Sequence, residues 1–430
     1  MAPTTETPTE GRRPLFRGWW IVLVAIVAQA FSLPAMLGYT FGVFAKPLAD
    51  HFHTNRASIA LAVSLLDLVL TFSAPGAGRL VDRYSARRVI VVSLVGLTFC
   101  LIALSLVQPP LWHFYALYAV AALVGIGTTP VTYARVVANW FNRNRGLALG
   151  LASTGVGLGA LIAPSFAQFL IDVSGWRRAY LGLAGACLVI AVPVVGLFFV
   201  KSPEEVGLFP DGANAPTMPA SNSTSVTGMG VLDAFRTRTF WQLCGVFFCV
   251  AACVNGGIAH LVPLLTDRGL SGRSAALAAS LFGAASIGGR VVNGYLVDRI
   301  FAPFVSGAFF AGAAAGVAIL WGGVTGSVAL LAPILLGLAI GAESDVMPFL
   351  VSRYFGMRSM AQVFGCVFGS YTLGTATGRY LFAAGFDATG SYTQPLGWAF
   401  LLLVIAVIGM LALGRYQTQP APMYQHGNRH

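Results

Sequence analysis

Apolar residues along this chain fall into long blocks separated by short polar breaks. A run of about 20 mainly apolar residues is enough to cross a bilayer as a helix. On that criterion the sequence yields spans at 18–41, 57–77, 88–107, 113–137, 147–170 and 179–200, then at 239–265, 274–296, 304–322, 327–351, 361–383 and 396–414. The pattern predicts an all-α membrane protein of twelve transmembrane helices. Between the sixth and seventh spans lies 201–238, whose low-complexity run PDGANAPTMPASNSTSVTG (210–228) is too poor in apolar residues to order itself. It reads as a flexible cytoplasmic linker between two six-helix bundles, 18–200 and 239–414, with short cytoplasmic tails at 1–17 and 415–430.

The two bundles are related in sequence. GRLVDR (78–83) recurs as GYLVDR (294–299), Trp140-Phe141 as Tyr354-Phe355, and DVSG (172–175) as DATG (387–390), all at nearly one offset. That regularity implies a duplicated six-helix unit. Pseudo-symmetric repeats of this kind are a transporter architecture, with the substrate site near the mid-plane between them.

Composition agrees with the pattern. Hydrophobic residues make up 57% of the chain and charged ones 10%, with mean hydropathy +0.76, whereas a soluble domain carries about 25% charged residues. The net charge of +11 is scattered in small groups between apolar runs and forms no basic stripe, so nucleic acid is not an expected partner. The six cysteines all fall inside apolar segments, away from disulfide or metal-ligand spacing. The polar stretch Met1 to Pro14 leads straight into an apolar run without a small-residue cleavage site, so no removable signal peptide is expected. Most of the 26 lysines and arginines flank the spans on one side, among them Arg79, Arg83, Arg87, Arg88, Arg143, Arg145, Arg299, Arg353 and Arg358, while Lys46, Arg56, Arg177, Arg178, Arg268 and Arg273 fall on the other. By the positive-inside rule both termini and the linker are expected to be cytoplasmic. The expected location is the cell membrane, as a multi-pass protein of a bacterial inner membrane.

GRLVDRYSARR (78–88), joining the second and third spans, resembles the signature loop of the major facilitator superfamily, and its shorter copy at 294–299 sits where that family has one. FRGWW (16–20), NWFNRNRGLALG (139–150) and Arg290 four residues before GYLVDR are similar to the bacterial branch of the monocarboxylate transporter group, related to oxalate/formate exchangers. The resemblance implies the major facilitator fold, transport of a small organic anion, and a carboxylate-binding role for Arg290. It also has departures. Arg17 stands where the group's first-helix signature is acidic. Tyr39 and Ser286 stand at the positions of a first-helix lysine and an eighth-helix aspartate of the animal members, and Leu373 falls near the exchanger's eleventh-helix lysine. Coupling through those groups does not carry over.

Ionisable side chains at membrane depth cost at least about 2.5–3.5 kcal/mol each on insertion scales and therefore face cavities or one another. The set here is Asp67, Arg135, Arg290, Glu343, Asp345 and Arg379, with His260 as an addition, and its balance of three arginines against three carboxylates predicts pairing. Arg290 lies on the stripe Ser286, Arg290, Asn293, one polar helix face. A guanidinium holds a carboxylate through two parallel hydrogen bonds and stays charged at any working pH, which suits an anion. The alternative is a structural ion pair. Arg135, on Thr128, Thr132, Arg135, Asn139, is a second anion contact, a gating partner of a tenth-helix carboxylate, or an arginine reaching to the interface. Glu343 and Asp345 lie two residues apart, about 200° around a helix, and cannot share a cavity. Either is a proton-coupling candidate or one half of a salt bridge, and so is Asp67. Tyr39 offers its hydroxyl to a substrate oxygen or simply packs. His260 is expected to be hydrogen-bonded rather than a ligand, and Arg379 has no assigned role.

Asp82, Arg83, Asp298 and Arg299 sit in the repeated inner loops, where an aspartate near a helix N-terminus is favoured by the helix dipole and can latch one state. Topology-setting by the arginines is the plainer role. The glycines of 146–159 and 365–378 allow close helix approach. They follow no strand and carry no phosphate-binding Lys-Ser/Thr, so no nucleotide, metal or other cofactor is expected. The reading is a non-enzymatic secondary transporter, functional as a monomer, carrying a small monocarboxylate such as lactate or pyruvate with protons by alternating access. A dicarboxylate or aromatic-acid exchanger is the alternative, and drug or sugar efflux is disfavoured by the intramembrane arginines.

Overall fold

The computed structural model describes residues 16–212, 228–269, 272–324 and 326–416. Among them the chain is helical apart from one isolated antiparallel bridge between Gly228 and Gly356. The parts of the predicted tails and linker at 1–15, 213–227 and 417–430 lie outside the described residues.

Among the described residues, twelve long helical elements follow one another. They are α1 (Gly18–Ala30, a π-helical turn Pro34–Tyr39, then Phe41–Phe52), α2 (Arg56–Arg83), α3 (Ala86–Ser105), α4 (Trp112–Gly125 and Pro130–Trp140), α5 (Arg145–Ser174) and α6 (Trp176–Ala186, a π-helical turn Cys187–Ala191, then Val192–Phe198). After the linker come α7 (Arg238–Ala259 and Leu261–Asp267), α8 (Gly272–Val297), α9 (Ala302–Trp321), α10 (Leu331–Phe355), α11 (Met360–Thr389) and α12 (Thr393–Leu411). Ten of these are long and apolar enough to cross a membrane. The other two, α8 and α11, are 26 and 30 residues long and carry Arg290 and Arg379 in their interiors. Several helices outrun their apolar runs, because hydrogen-bonded backbone continues past the hydrocarbon zone. Thus α2 extends to Arg83, α10 to Phe355 and α11 to Thr389, and Lys46, read as a loop residue, lies within the last segment of α1.

Breaks in the helices have local causes. Pro34 has no N–H to give the α-ladder of α1, and the chain there widens into the π turn. The Thr40 hydroxyl donates to Met36 O at 2.6 Å, and Leu33 N–H donates to Thr128 Oγ1 of α4 at 2.9 Å, so the loosened groups are satisfied. Asn55 caps α2 by accepting from Ser58 N at 2.7 Å, and Thr237 caps α7 by accepting from Phe240 N at 3.2 Å.

Helices α1–α6 and α7–α12 make two bundles that meet along crossed seams, α2 against α11 and α5 against α8. Glycine makes both seams possible. Gly78 faces the backbone of Ala361 and Gly365 that of Ala74, while Gly150 faces the carbonyl of Arg290 and Gly146 that of Gly294, all too close for a Cβ. In lipid, where apolar association between helices has no solvent drive, such close backbone packing supplies the adhesion.

Gly155 and Gly157 test this account. A Cβ at Gly155 would run into the Ile26 backbone of α1, whereas one at Gly157 meets nothing within 4 Å. Gly155→Val is expected to cost about 1–3 kcal/mol by overpacking and to lower the thermal midpoint in detergent by several degrees. Gly157→Ala should leave the midpoint unchanged or raise it slightly. Equal midpoints for the two variants would contradict the packing assignment.

Candidate functional site

The charged residues inside the spans are gathered where the two bundles meet. On α8, Arg290 uses Nη1 to donate to Ser344 Oγ at 2.9 Å and to Asp345 Oδ1 at 3.2 Å, both on α10. The arginine side chain keeps 12% of its surface exposed and Asp345 only 1%. Asp345 also reaches the other bundle. A Cβ on Gly150 of α5 would lie 3.7 Å from Asp345 Oδ2, and Ser153, whose hydroxyl donates to Leu149 O, faces the same carboxylate. Removing one partner of a buried ion pair strands the other, at a cost of about 3–5 kcal/mol.

Across the interface, Tyr39 at the end of the π turn is 48% exposed and lies in the field of Arg290, Arg379 and Asp67. Arg379 of α11 donates from Nη1 to Asp67 Oδ2 of α2 at 3.2 Å, a pair left partly open at 48% and 24% exposure. Thr71, one turn on from Asp67, joins the same two helices through a 2.8 Å hydrogen bond between its hydroxyl and that of Thr372.

The expected pairing of three arginines with three carboxylates is met in two cases only. Arg135 pairs with Asp82 of α2 and not with a tenth-helix carboxylate, and Glu343 is left over. Glu343 points about 200° away from Asp345, as two-residue spacing requires. It is fully buried, and neither of its carboxyl oxygens has a hydrogen-bond partner among the described residues. Cys253 of α7 and Tyr371 of α11 lie within its electrostatic reach. The predicted stripe on α8 is only partly a cavity face. Asn293 is fully buried and donates to Ala342 O of α10 at 3.4 Å, and the Ser286 carbonyl packs on Gly341 of α10. His260 separates the two parts of α7, stacks on Phe382 and lies 3.4 Å from the Tyr392 hydroxyl.

The end of the molecule that carries the basic loops is closed by a pair of related contacts. Asp82 accepts from Ala361 N at 3.3 Å and Gln362 N at 2.9 Å, capping α11. Asp298 accepts from Gly146 N at 2.7 Å and Leu147 N at 2.9 Å, capping α5. Each aspartate sits at the end of the second helix of its own bundle, Asp82 in its last turn and Asp298 just past it, and holds the fifth helix of the other, where unpaired N–H groups and the helix dipole favour an anion. Burial pushes the Asp298 carboxyl up, while the two N–H donors, Arg353 and Arg145 pull it back. Arg145 Nη1 donates to Ser352 Oγ at 3.1 Å, and Arg353 Nη2 to Asn142 O at 3.1 Å, adding two more bonds between the bundles. Arg83 and Arg299 take no such part. They lie over the rings of Tyr84 and Tyr295.

The linker is tied down at both ends. Asp211 accepts from Asn142 N and Arg143 N at 3.0 and 2.8 Å, and Met229 N donates to Phe355 O at 2.8 Å. The composition argument missed these ends because their order comes from docking on the bundles.

Sequence reasoning also missed Ser344, Ser153, Tyr371, Asn255, Arg145 and Ser352. Asn255 was legible as a lone amide inside an apolar span. Ser153 and Tyr371 were hidden in glycine runs whose spacing pointed to packing alone.

Two related helical bundles with paired charges where they meet define a multi-pass membrane transporter rather than an enzyme. The sequence model of the Major Facilitator Superfamily matches residues 21–379, and the chain belongs to that superfamily. It is 28% identical to Monocarboxylate transporter 11 of Homo sapiens over 412 residues, covering 91% of this chain and 81% of that protein. It is 25% identical to the Oxalate:formate antiporter of Oxalobacter formigenes over 408 residues, covering 92% and 89%. The fold matches that of the superfamily transporter FucP in the outward conformation, with TM-score 0.65 and 17% identity over 91% of this chain and 98% of that one.

If the capping aspartates hold the basic face shut, Asp82→Ala and Asp298→Ala will each free a helix N-terminus there. Spin labels at positions 88 and 358, both exposed on that face, should then show a longer inter-label distance population than the parent protein. Unchanged distance distributions in both variants would remove the latch role.

Proposed function

We propose that the protein is a secondary active carrier of small organic anions, in its simplest form a proton-coupled carrier of a monocarboxylate such as lactate or pyruvate. Its relatives include a monocarboxylate transporter and an oxalate:formate antiporter. The observation that carries the reading is the state of Arg290. Both of its hydrogen bonds leave from Nη1, so Nη2 and Nε are without partners among the described residues. An arriving carboxylate takes a two-pronged contact from them. Tyr39, whose hydroxyl lies in the field of the same guanidinium, gives a further donor from the opposite bundle.

Alternating access follows from the latches. The basic face is the cytoplasmic face on this reading, and its closure leaves the site open to the outside. The bundles 18–200 and 239–414 are the rocking units, joined by the linker 201–238, and a single copy suffices. Opening inward breaks the Asp82 and Asp298 caps and parts α5 from α8 beside Asp345.

Glu343 is the proton carrier. An ionised carboxylate with no partner costs several kcal/mol to keep in a dry interior, and a protonated one does not. Asp345 is the resident partner that keeps Arg290 from standing alone when the site is empty. A proton on Glu343 and an anion on Arg290 then enter together as a neutral cargo. A dicarboxylate or aromatic-acid carrier is the second reading, favoured by the half-exposed Arg379, in whose field Tyr39 also lies. Counterflow of labelled lactate, pyruvate, oxalate and benzoate in proteoliposomes separates the two.

Arg290→Ala should abolish uptake while the protein remains folded and inserted. Arg290→Lys keeps the charge but loses the fork, and should raise the half-saturating concentration about tenfold, equivalent to ~1.4 kcal/mol. Uptake kinetics like those of the parent in either variant would refute the role. Glu343→Gln should lose pH-driven accumulation yet retain substrate exchange, because the amide imitates the protonated acid. Full accumulation by this variant would place the coupling elsewhere.

A further inference from the structure

Past the membrane-crossing stretch Gly18–Tyr39, α1 leaves its π turn and continues as the segment Phe41–Phe52, on the face opposite the basic loops. Midway along that segment the buried Phe44 stacks on Tyr180 of α6 at 4.0 Å and 13°. Near its far end the polar hold is His51. Arg177, in the first turn of α6, donates from Nη2 to His51 Nε2 at 3.3 Å. The same guanidinium donates to Val107 O at 3.3 Å and, from Nη1, to Ser105 O at 3.0 Å at the end of α3. It lies over the Trp176 ring, 4.6 Å from the centre, and the His51 ring packs beside Trp176 and Phe52 at 5.2 and 5.1 Å. One arginine thus gathers the ends of α1 and α3 at the start of α6.

An arginine has only donors, so His51 Nε2 has to accept, and it accepts only in the neutral ring with the proton on Nδ1. A second proton turns the acceptor into a donor and sets a new cation against a permanent one. Burial, and after it Arg177, pushes the His51 ring below its ordinary pKa, with His53 adding to the fall and the Val107 carbonyl drawing it back. The other charged groups on this segment and on α5 and α6 beside it, Lys46, Asp50, Asp172 and Arg178, are exposed, and Asp172 accepts from Gln168 at 2.7 Å. Because the neutral ring is the bonded one, the contact holds above the lowered pKa. It is lost as the pH falls through that value, below the ordinary histidine range of about 6.5.

We propose that His51 and Arg177 form a pH-sensitive clasp on the outer segment of α1, which opens in acid and frees that segment to tilt about the π turn that carries Tyr39. The proposal rests on the reading of Arg290 and Tyr39 as the anion site. Clasped, the segment is held back against α3 and α6, and the mouth of the site stays open. Released, it pivots at the Phe44–Tyr180 stack and closes over a bound anion more readily. The proton on His51 stays on its ring and is not cargo. It therefore sets the rate of the cycle and not its driving force, which separates it from the role given to Glu343.

Spin labels at positions 46 and 173, both exposed, report the segment against α5 without any transport assay. The parent should show one distance population at about pH 7.5 and gain a second at about pH 5.5, across the range in which histidine titrates. His51→Gln supplies a neutral acceptor that does not titrate and should keep the first population at both pH values. His51→Lys carries a fixed charge and should show the second at both. Lactate exchange in proteoliposomes, at equal pH on the two sides, should quicken at least threefold in the parent between the same pH values, and this gain should be absent in His51→Gln. Parent distances that ignore pH, or a His51→Gln variant that follows pH as the parent does, would overturn the clasp. Movement of the segment with identical exchange profiles in parent and His51→Gln would overturn its link to the site. If the parent exchanges no carboxylate at all, the anion reading fails, and the label distances still decide the clasp.

Discussion

A charge at the middle of a bilayer has to be answered within the protein, and the interior of this one is organised around that requirement. Arg290 and Asp345 answer each other across α8 and α10. Their junction also fixes where the two bundles touch, since Gly150 of α5 packs on the Arg290 carbonyl and beside the Asp345 carboxylate. A guanidinium cannot shed its charge, so its company has to change when its surroundings change. An anion that binds it alters the electrostatics of the helix crossing itself. On the proposed reading, substrate occupancy and bundle contact are therefore linked by position.

The closed face relies on the same physics in a different setting. Helices α5 and α11 begin there with unpaired N–H groups, and each is met by an aspartate from the other bundle. The bonds are strong because the acceptor is charged, yet water can replace them when the face opens. Arg135 adds to the Asp82 contact, and Arg145 and Arg353 add to the Asp298 side. On the proposed reading, such contacts latch one state without making it irreversible.

How much of this was legible before the structure varied with the kind of signal. The twelve spans and their duplication were readable because lipid imposes length and hydropathy on every crossing helix. The two-residue spacing of Glu343 and Asp345 was enough to send them to different environments. Partner choice was less accessible. The expectation that Arg135 meets a tenth-helix carboxylate gave way to Asp82, because the end of α2 comes to lie against α4 and α11, a tertiary fact with no trace in periodicity. Asn293 shared a helical face with Arg290 yet is sealed against α10, because close glycine contacts draw α8 onto that helix. Ser153 and Tyr371 sit in glycine-rich helices, where small-residue spacing draws attention away from a polar side chain.

The central claim is that Arg290 receives the carboxylate of the transported anion. The most direct measurement is an experimental structure of the protein with a bound monocarboxylate. The account predicts a carboxylate within hydrogen-bonding distance of Arg290 Nη2 and Nε, with the Tyr39 hydroxyl close by. A carboxylate bound elsewhere, with Arg290 still joined only to Ser344 and Asp345, would contradict it.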